Sequence, residues 1–329
     1  MAHEIMIKNG VAQYASTQQE WHFGETKHAV LRPGASIEEW AAASGLDYRI
    51  QRAVVRYATD RYAPDTPISK LLKMEDKVVL FRHDTGAALG LASDNYQIVQ
   101  PIEGLEMFRE WAQAGGVVIE SAGVLFGGKR YFATAKLSEA VCVDGTGDKI
   151  ILYALFSTSA DGSLATEVRL MTVRVVCNNT LRLAMAHGAT YRATHRTKFD
   201  AESAKAAVEQ ANAEFGSFMQ MSRTLAGIKV HRPLAEDLTM HLFKGNSTDT
   251  DKVRESRGFT RVMELFNGAA KGAQLETARE TAWGWLNAVT EYTDHHVRAH
   301  NAENRIASAL WGPGDALKNK AVELALAAA

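Results

Sequence analysis

The stretch Ile150–His187, IILYALFSTSADGSLATEVRLMTVRVVCNNTLRLAMAH, constrains this chain more than any other. Ile150–Phe156 is an almost unbroken apolar run, as a strand buried on both faces requires. Asp161-Gly162 signals a tight turn, and the β-branched run Leu164–Cys177 returns as a second strand. Asn178-Asn179-Thr180 ends it, and Asn179 or Thr180 is placed to cap a short helix, Leu181–His187, stopped by Gly188. A long hairpin feeding a helix therefore stands at the centre of the fold.

The same stretch is marked by charge. No acidic residue occurs between Glu167 and Asp200, whereas Arg169, Arg174, Arg182, Arg192, Arg196 and Lys198 all fall there. The whole chain carries a formal net charge of −1, so this positive block is local, and an anionic partner would be drawn to it. With 329 residues, 46% hydrophobic and 23% charged, the composition is that of a soluble globular protein with one large core or two modest ones. The longest apolar run falls short of the roughly 20 residues that cross a bilayer, and Met1–Gly10 lacks the layout of a signal peptide. Two cysteines, Cys142 and Cys177, are read as free thiols in a reducing cytoplasm.

On either side of the hairpin the texture differs. Ser36 with Glu39 forms a capping box for a helix ending near Gly45. Tyr48–Tyr57, Lys77–His83, Ala88–Ala92 and Tyr96–Val99 read as strands, the first bearing Arg49, Arg52 and Arg56. Pro101 opens a helix to Ala114, closed by Gly115-Gly116. Val117–Phe126 and Lys129–Leu137 bracket Gly127-Gly128, a second hairpin. The first ~200 residues are expected to form an α+β unit, an antiparallel sheet with long hairpins and packed helices. From 199 to 329 the chain reads as mainly helical, which sets a soft boundary at 198. Ala204, Val208, Ala211, Phe215, Phe218 and Ser222 make a heptad stripe that suits either the sheet or a neighbouring subunit. Pro233–Lys244, Thr260–Asn267, a helix capped by Thr277 with Glu280, and Asp315–Ala328 follow, with Asn246–Gly258 as a polar loop.

No phosphate-binding loop is present, and the sequence calls for no cofactor and no catalytic or metal-binding set. His296 and His300 lie four apart beside His295 and Asp294, but the protease glutamate is missing. Cys177 at a strand end reads as a small core residue. Asp84, Asp94, Asp161 and Glu167 lie in turns or strand ends without a diagnostic spacing. Basic residues beside aromatics carry more weight: Lys129 and Arg130 before Tyr131 and Phe132, Tyr191 before Arg192, Arg56 before Tyr57. Basic groups for phosphates and rings for bases are the needs of a single-strand groove. Arg169 and Arg174 differ by an odd number and share a face only if a bulge lies between them.

Trp21-His22-Phe23-Gly24, Asp94–Pro101, Gly127–Arg130, Ser159–Ser163, Val173–Leu181 and the helix with Trp283, Leu286 and Val289 together resemble the phage/plasmid-like protein family of unknown function, found on bacterial mobile elements. The order of strands, helix and basic hairpins is more distantly similar to single-strand annealing recombination proteins, which form rings that hold DNA in an outer groove. The resemblance implies a cytoplasmic, homo-oligomeric protein that binds single-stranded DNA and promotes annealing or recombination. Lys129, Arg130, Arg169, Arg174, Arg182, Arg192, Arg196 and Lys198 would contact phosphates, and Tyr131, Phe132 and Tyr191 would stack bases. A metal-dependent nuclease, and a protein-binding factor acting against host defence or replication, are the alternatives.

Overall fold

The structure is a computed structural model that describes residues 7–8, 11–17, 27–58, 67, 71–143, 147–176, 179–182, 191–192, 201–245 and 248–328. The chain begins with strands β1 (Ile7–Lys8), β2 (Val11–Ser16) and β3 (Lys27–Val30). Helix α1 (Ile37–Ser44) starts on the expected box: Glu39 N–H donates to Ser36 Oγ at 3.2 Å and Ser36 N–H to Glu39 Oε2 at 2.7 Å. Strands β4 (Ile50–Tyr57), β5 (Leu72–Arg82) and β6 (Ala88–Ser93) form a separate three-stranded antiparallel sheet. Helix α2 (Pro101–Ala114) follows, its Pro in the first turn, where a missing N–H costs nothing. Gly104 lets it lie close on the large sheet, since a Cβ there would stand 3.1 Å from the rings of Phe156 and Tyr131.

The large sheet is completed by β7 (Ile119–Leu125), β8 (Arg130–Lys136), β9 (Val141–Cys142), β10 (Lys149–Ser159), β11 (Glu167–Arg174), β12 (Asn179–Arg182) and β13 (Tyr191–Arg192). Its main order is β1-β2-β7-β8-β10-β11-β12, with β3, β9 and β13 attached to β2, β10 and β11. β10, the apolar run of the sequence, lies between β8 and β11 and is buried on both faces. One face receives α1 and α2 over Ala133, Ala154 and Phe156, and further along it receives Phe215, Phe218 and Trp283 over Ile150 and Leu152. The opposite face carries Tyr14, Phe132, Leu155 and Met171, packed with Ile306, Leu310 and Trp311. The fold is α+β, with a mainly helical C-terminal region.

That region comprises α3 (Ala201–Gly227), α4 (Arg232–Lys244), α5 (Thr250–Arg254), α6 (Arg257–Glu264), α7 (Ala282–Glu291), α8 (Ala302–Trp311) and α9 (Pro313–Ala327). Wide π turns follow α6 at Leu265–Ala269 and α7 at Tyr292–His296. Among the described residues no helix is long and apolar enough to cross a membrane.

Four expectations are corrected. Residues after Asn178 continue as strand β12, not as a helix, because Thr180 pairs with Val173; residues 183–190 lie outside the described ones. The stretch 246–258 is not all loop: α5 and the start of α6 lie in it, capped by Asp249 and Ser256. The cap of α7 is Thr281, whose Oγ1 accepts from Gly284 N–H at 3.0 Å, because the Thr277 hydroxyl is taken by Asp148. Tyr96–Val99 is not a strand but an irregular connection between β6 and α2. Of the two partners that suited the heptad stripe, the sheet is the one met: Ala211, Phe215, Phe218 and Ser222 are buried within this chain, the first three in the cluster that holds Ile150 and Leu152.

Sheet and helices are joined by Asp148, which is fully buried. It accepts from Arg174 Nε at 2.7 Å and Nη2 at 2.8 Å, from Thr277 Oγ1 at 2.8 Å and from Trp283 Nε1 at 3.0 Å. Burial raises the pKa of this carboxyl, but the Arg174, Trp283 and Thr277 contacts outweigh it and hold the group below its ordinary 3.8. A depressed folded-state pKa contributes stability above the unfolded value that is lost as pH falls through the folded one. Stability should therefore drop on acidification below 3.8, and Asp148→Asn should flatten that limb. Arg174→Met, which strands the carboxylate, should cost about 3–5 kcal/mol near neutrality, measured by denaturant unfolding.

Candidate nucleic-acid interface

Of the residues expected to form one groove, the structure scatters those it describes. Tyr131 and Phe132 are 1% and 3% exposed, so neither ring is open to a base. Tyr131 packs beneath α2, and its hydroxyl donates to Val99 O at 2.9 Å. The charge of Arg174 is sealed against Asp148. The β10–β11 register runs without a bulge from Ile150↔Arg174 to Ser157↔Glu167, so Arg169 and Arg174 face opposite sides of the sheet and share no groove. Arg169 is paired with the buried Glu167 and lies near Asp315 and Lys318. Arg182, Tyr191 and Arg192 belong to β12 and β13 by backbone, their side chains lying outside the described residues, as do Arg196, Lys198 and Cys177 altogether.

The histidine cluster is also dispersed. The helical path ends at His296, so His300 is not one turn further on the same helix. Asp294 is occupied: its Oδ2 accepts from Thr180 N–H at 2.6 Å and Oγ1 at 2.9 Å, and its Oδ1 from Lys318 Nζ at 2.8 Å. Asp84 is held by Arg82, Asp161 accepts from Ser163 N–H, and Glu167 binds Arg169. Among the described residues no group of three or more His, Cys, Asp or Glu is arranged to hold a metal ion.

Among the described residues, Lys129 and Arg130 keep an accessible position without being paired to a carboxylate. Lys129 is exposed and Arg130 half-buried, at the turn joining β7 to β8. Arg130 Nε donates to Ser163 Oγ at 3.1 Å, and its guanidinium lies 5.3 Å from the Phe126 ring centre. This turn is locked to the small sheet. Tyr48 Oη donates to Gly128 O at 2.7 Å, and Arg82 Nη1 to Gly127 O at 3.2 Å. Arg82 also lies 3.9 Å over the Tyr48 ring and grips Asp84 at 2.7 and 2.9 Å. Burial pushes the Tyr48 hydroxyl well above the ordinary tyrosine range, with Arg82 opposing only in part, so the group stays a neutral donor. Gly128 takes φ +109°, which a side chain would strain, with the Tyr48 ring directly above it. At Gly90 of β6 a Cβ would stand 2.7 Å from Asp161 Cβ, so the second tip also abuts the small sheet.

The small sheet lies outside the basic stretch that follows Glu167. Its first strand has the exposed arginines Arg52 and Arg56, with exposed Arg49 just before it. Arg52 is tethered to the carbonyls of Asp94 and Tyr96, and Arg56 reaches Leu71 O at 3.5 Å. Arg49, Lys77 and Lys129 have no carboxylate partner among the described residues. The signal in sequence was Arg56-Tyr57 on an imperfectly alternating strand.

Over residues 88–311, about two-thirds of the chain, the sequence matches the family model described as Domain of unknown function (DUF932). The chain belongs to this family. No curated protein and no solved structure matches. The DUF932 span runs from β6 to α8 and so takes in the central hairpin, the β7–β8 turn, the Asp148 centre and Asp294, while β4 and β5 precede it and Lys318 follows it.

If Tyr48 holds the two sheets together, Tyr48→Phe should cost about 1–3 kcal/mol by leaving a buried carbonyl unpaired. Amide hydrogen exchange should then quicken in β4–β6 before it does in β10 and β11.

Proposed function

We propose that this DUF932 protein binds single-stranded DNA and serves strand annealing or recombination on a bacterial mobile element. One observation carries this reading: three cationic side chains without carboxylate partners, Arg49, Lys77 and Lys129, border the small sheet and the turn locked to it. Such groups are free to exchange small counterions for phosphates, which drives nucleic-acid binding and makes it salt-dependent. Arg130 stands beside Lys129, held at a fixed angle by Ser163. Arg56 continues the basic track along β4.

The interface differs from the one read in the basic stretch after Glu167. Arg169 and Arg174 are spent on internal carboxylates, so the phosphate contacts move to the Arg49–Lys77–Lys129 rim. Self-association, with a ring as one form, would place many weak rims along one strand and multiply their effect. A cytoplasmic setting suits that activity.

Binding to labelled single- and double-stranded oligonucleotides over a salt series tests the proposal, with molar mass from light scattering. The wild type should prefer single strands and weaken steeply with salt. Replacing Arg49, Lys77 and Lys129 together by Ala should weaken binding to all sequences alike and lower the salt slope by about two, since each single-strand phosphate contact contributes about 0.7. Absence of binding at low salt would remove the reading.

A further inference from the structure

We infer that the outward face of the β4–β5–β6 sheet is a stacking platform for unpaired bases, built from Phe81, Val79 and Leu91. The inference rests on the DNA-binding reading above and names the part of the ligand this surface takes. The ladder puts Gln51 opposite Phe81, Ala53 opposite Val79 and Val79 opposite Leu91. Residues opposed in an antiparallel ladder share a side, so these five lie on one face. The other face carries Ile50 and Leu80, which are buried in the core with α2.

None of the five outward residues is buried, and Leu91 is 61% exposed. Isolated exposed apolar side chains are common, but here they concentrate. Of the eleven large apolar side chains exposed among the described residues, five belong to this small sheet: Val54, Tyr57, Leu72, Met74 and Leu91. Of these, Leu91 lies on the outward face, whereas Val54 pairs with Val78 on the Leu80 side, and exposed apolar surface of this kind marks a place that meets a partner.

Charge selects the partner. The paired outward positions of this face carry no Asp or Glu, whereas Lys77 occupies one of them, opposite Ser93. Arg49 sits at the other end, its carbonyl accepting from His83 N–H at 2.9 Å. A ligand that suits this face is apolar and flat in the middle and anionic where it meets Lys77 and Arg49, with the exposed Asp76 and Asp94 flanking the Lys77 end. A single strand with its bases splayed out has that pattern, and a duplex, whose base faces are stacked on one another, does not. Stacking on such a face is tolerant of sequence, because every base has a π surface.

The test uses the full chain and two probes, an oligothymidylate and an abasic oligonucleotide of equal length and charge, compared by fluorescence anisotropy at one low salt concentration. The wild type should bind the abasic strand at least tenfold more weakly. Leu91→Ser, at a position exposed enough to leave folding intact, should weaken oligothymidylate binding several-fold and leave abasic binding unchanged, and Phe81→Ala should act in the same direction. Equal binding of both probes by the wild type would overturn the platform and leave the DNA-binding reading standing. No binding of either probe would overturn both. If Leu91→Ser abolished self-association and not the base-dependent part of binding, the face would be a protein interface and the platform would be refuted.

Discussion

The rest of the structure depends on one buried ion pair, Asp148 with Arg174. Taking a carboxylate and a guanidinium out of water costs several kcal/mol each, and the cost is offset only where geometry and further hydrogen bonds are good. Here Asp148 accepts four bonds, two from Arg174 and one each from Thr277 and Trp283. Arg174 in turn reaches the carbonyls of Lys271 and Gly272 at 3.4 Å. The pair therefore draws together the loop before β10, the end of β11 and the approach to α7. It also explains the entry to α7, where Thr281 takes the cap and Glu280 adopts φ 52°. Gly284 belongs to the same turn: a Cβ there would run into the Ala278 carbonyl.

A second buried pair, Asp294 with Lys318, does for the sheet edge what the first does for its face. Asp294 accepts the N–H of Thr180, and Lys318 Nζ donates to the carbonyl of the same residue at 2.8 Å. The two side chains thus stand in for a neighbouring strand, and an unpaired edge that would invite other chains is closed at this point. Lys318 is 1% exposed, and its three protons meet Thr180 O, Thr180 Oγ1 and Asp294 Oδ1, which is why an ammonium is tolerated there. The positive block of the sequence is in part the counterpart of these internal carboxylates. The two sheets differ accordingly: the large one is covered on both faces, while the small one is covered on one, with Arg49, Lys77 and Lys129 around it.

The elements legible in the sequence were those set by local rules. The capping box at Ser36, the proline opening α2, and the apolar run of β10 all depend on contacts a few residues apart or on periodicity alone. The turn at Gly127-Gly128 shows the expected positive φ at both glycines, with Phe126 joining them at φ 54°. The odd separation of Arg169 and Arg174 likewise predicted opposite faces, and an unbroken register keeps them there. The candidate site was far less legible. Tyr131 and Phe132 look like an exposed aromatic pair beside Lys129 and Arg130, yet α2 covers one ring and Tyr14 and the α8 side cover the other. Whether a strand residue is open is decided by what packs on the sheet, and those elements come from far away in the chain.

Sequence by itself determined part of the local grammar of this protein: the starts of α1 and α2, the apolar run of β10, and that cations gather after Glu167. Tertiary structure alone decided which of those cations stay available. The charges of Arg174 and Arg169 are compensated by Asp148 and Glu167, the former across 26 positions of chain, while Lys129 at the tip of a turn has no such partner. The physical reason is that Coulomb attraction and desolvation act through space. A guanidinium is a ligand-binding group or a buried strut according to its three-dimensional neighbours, and no spacing rule along one segment contains them.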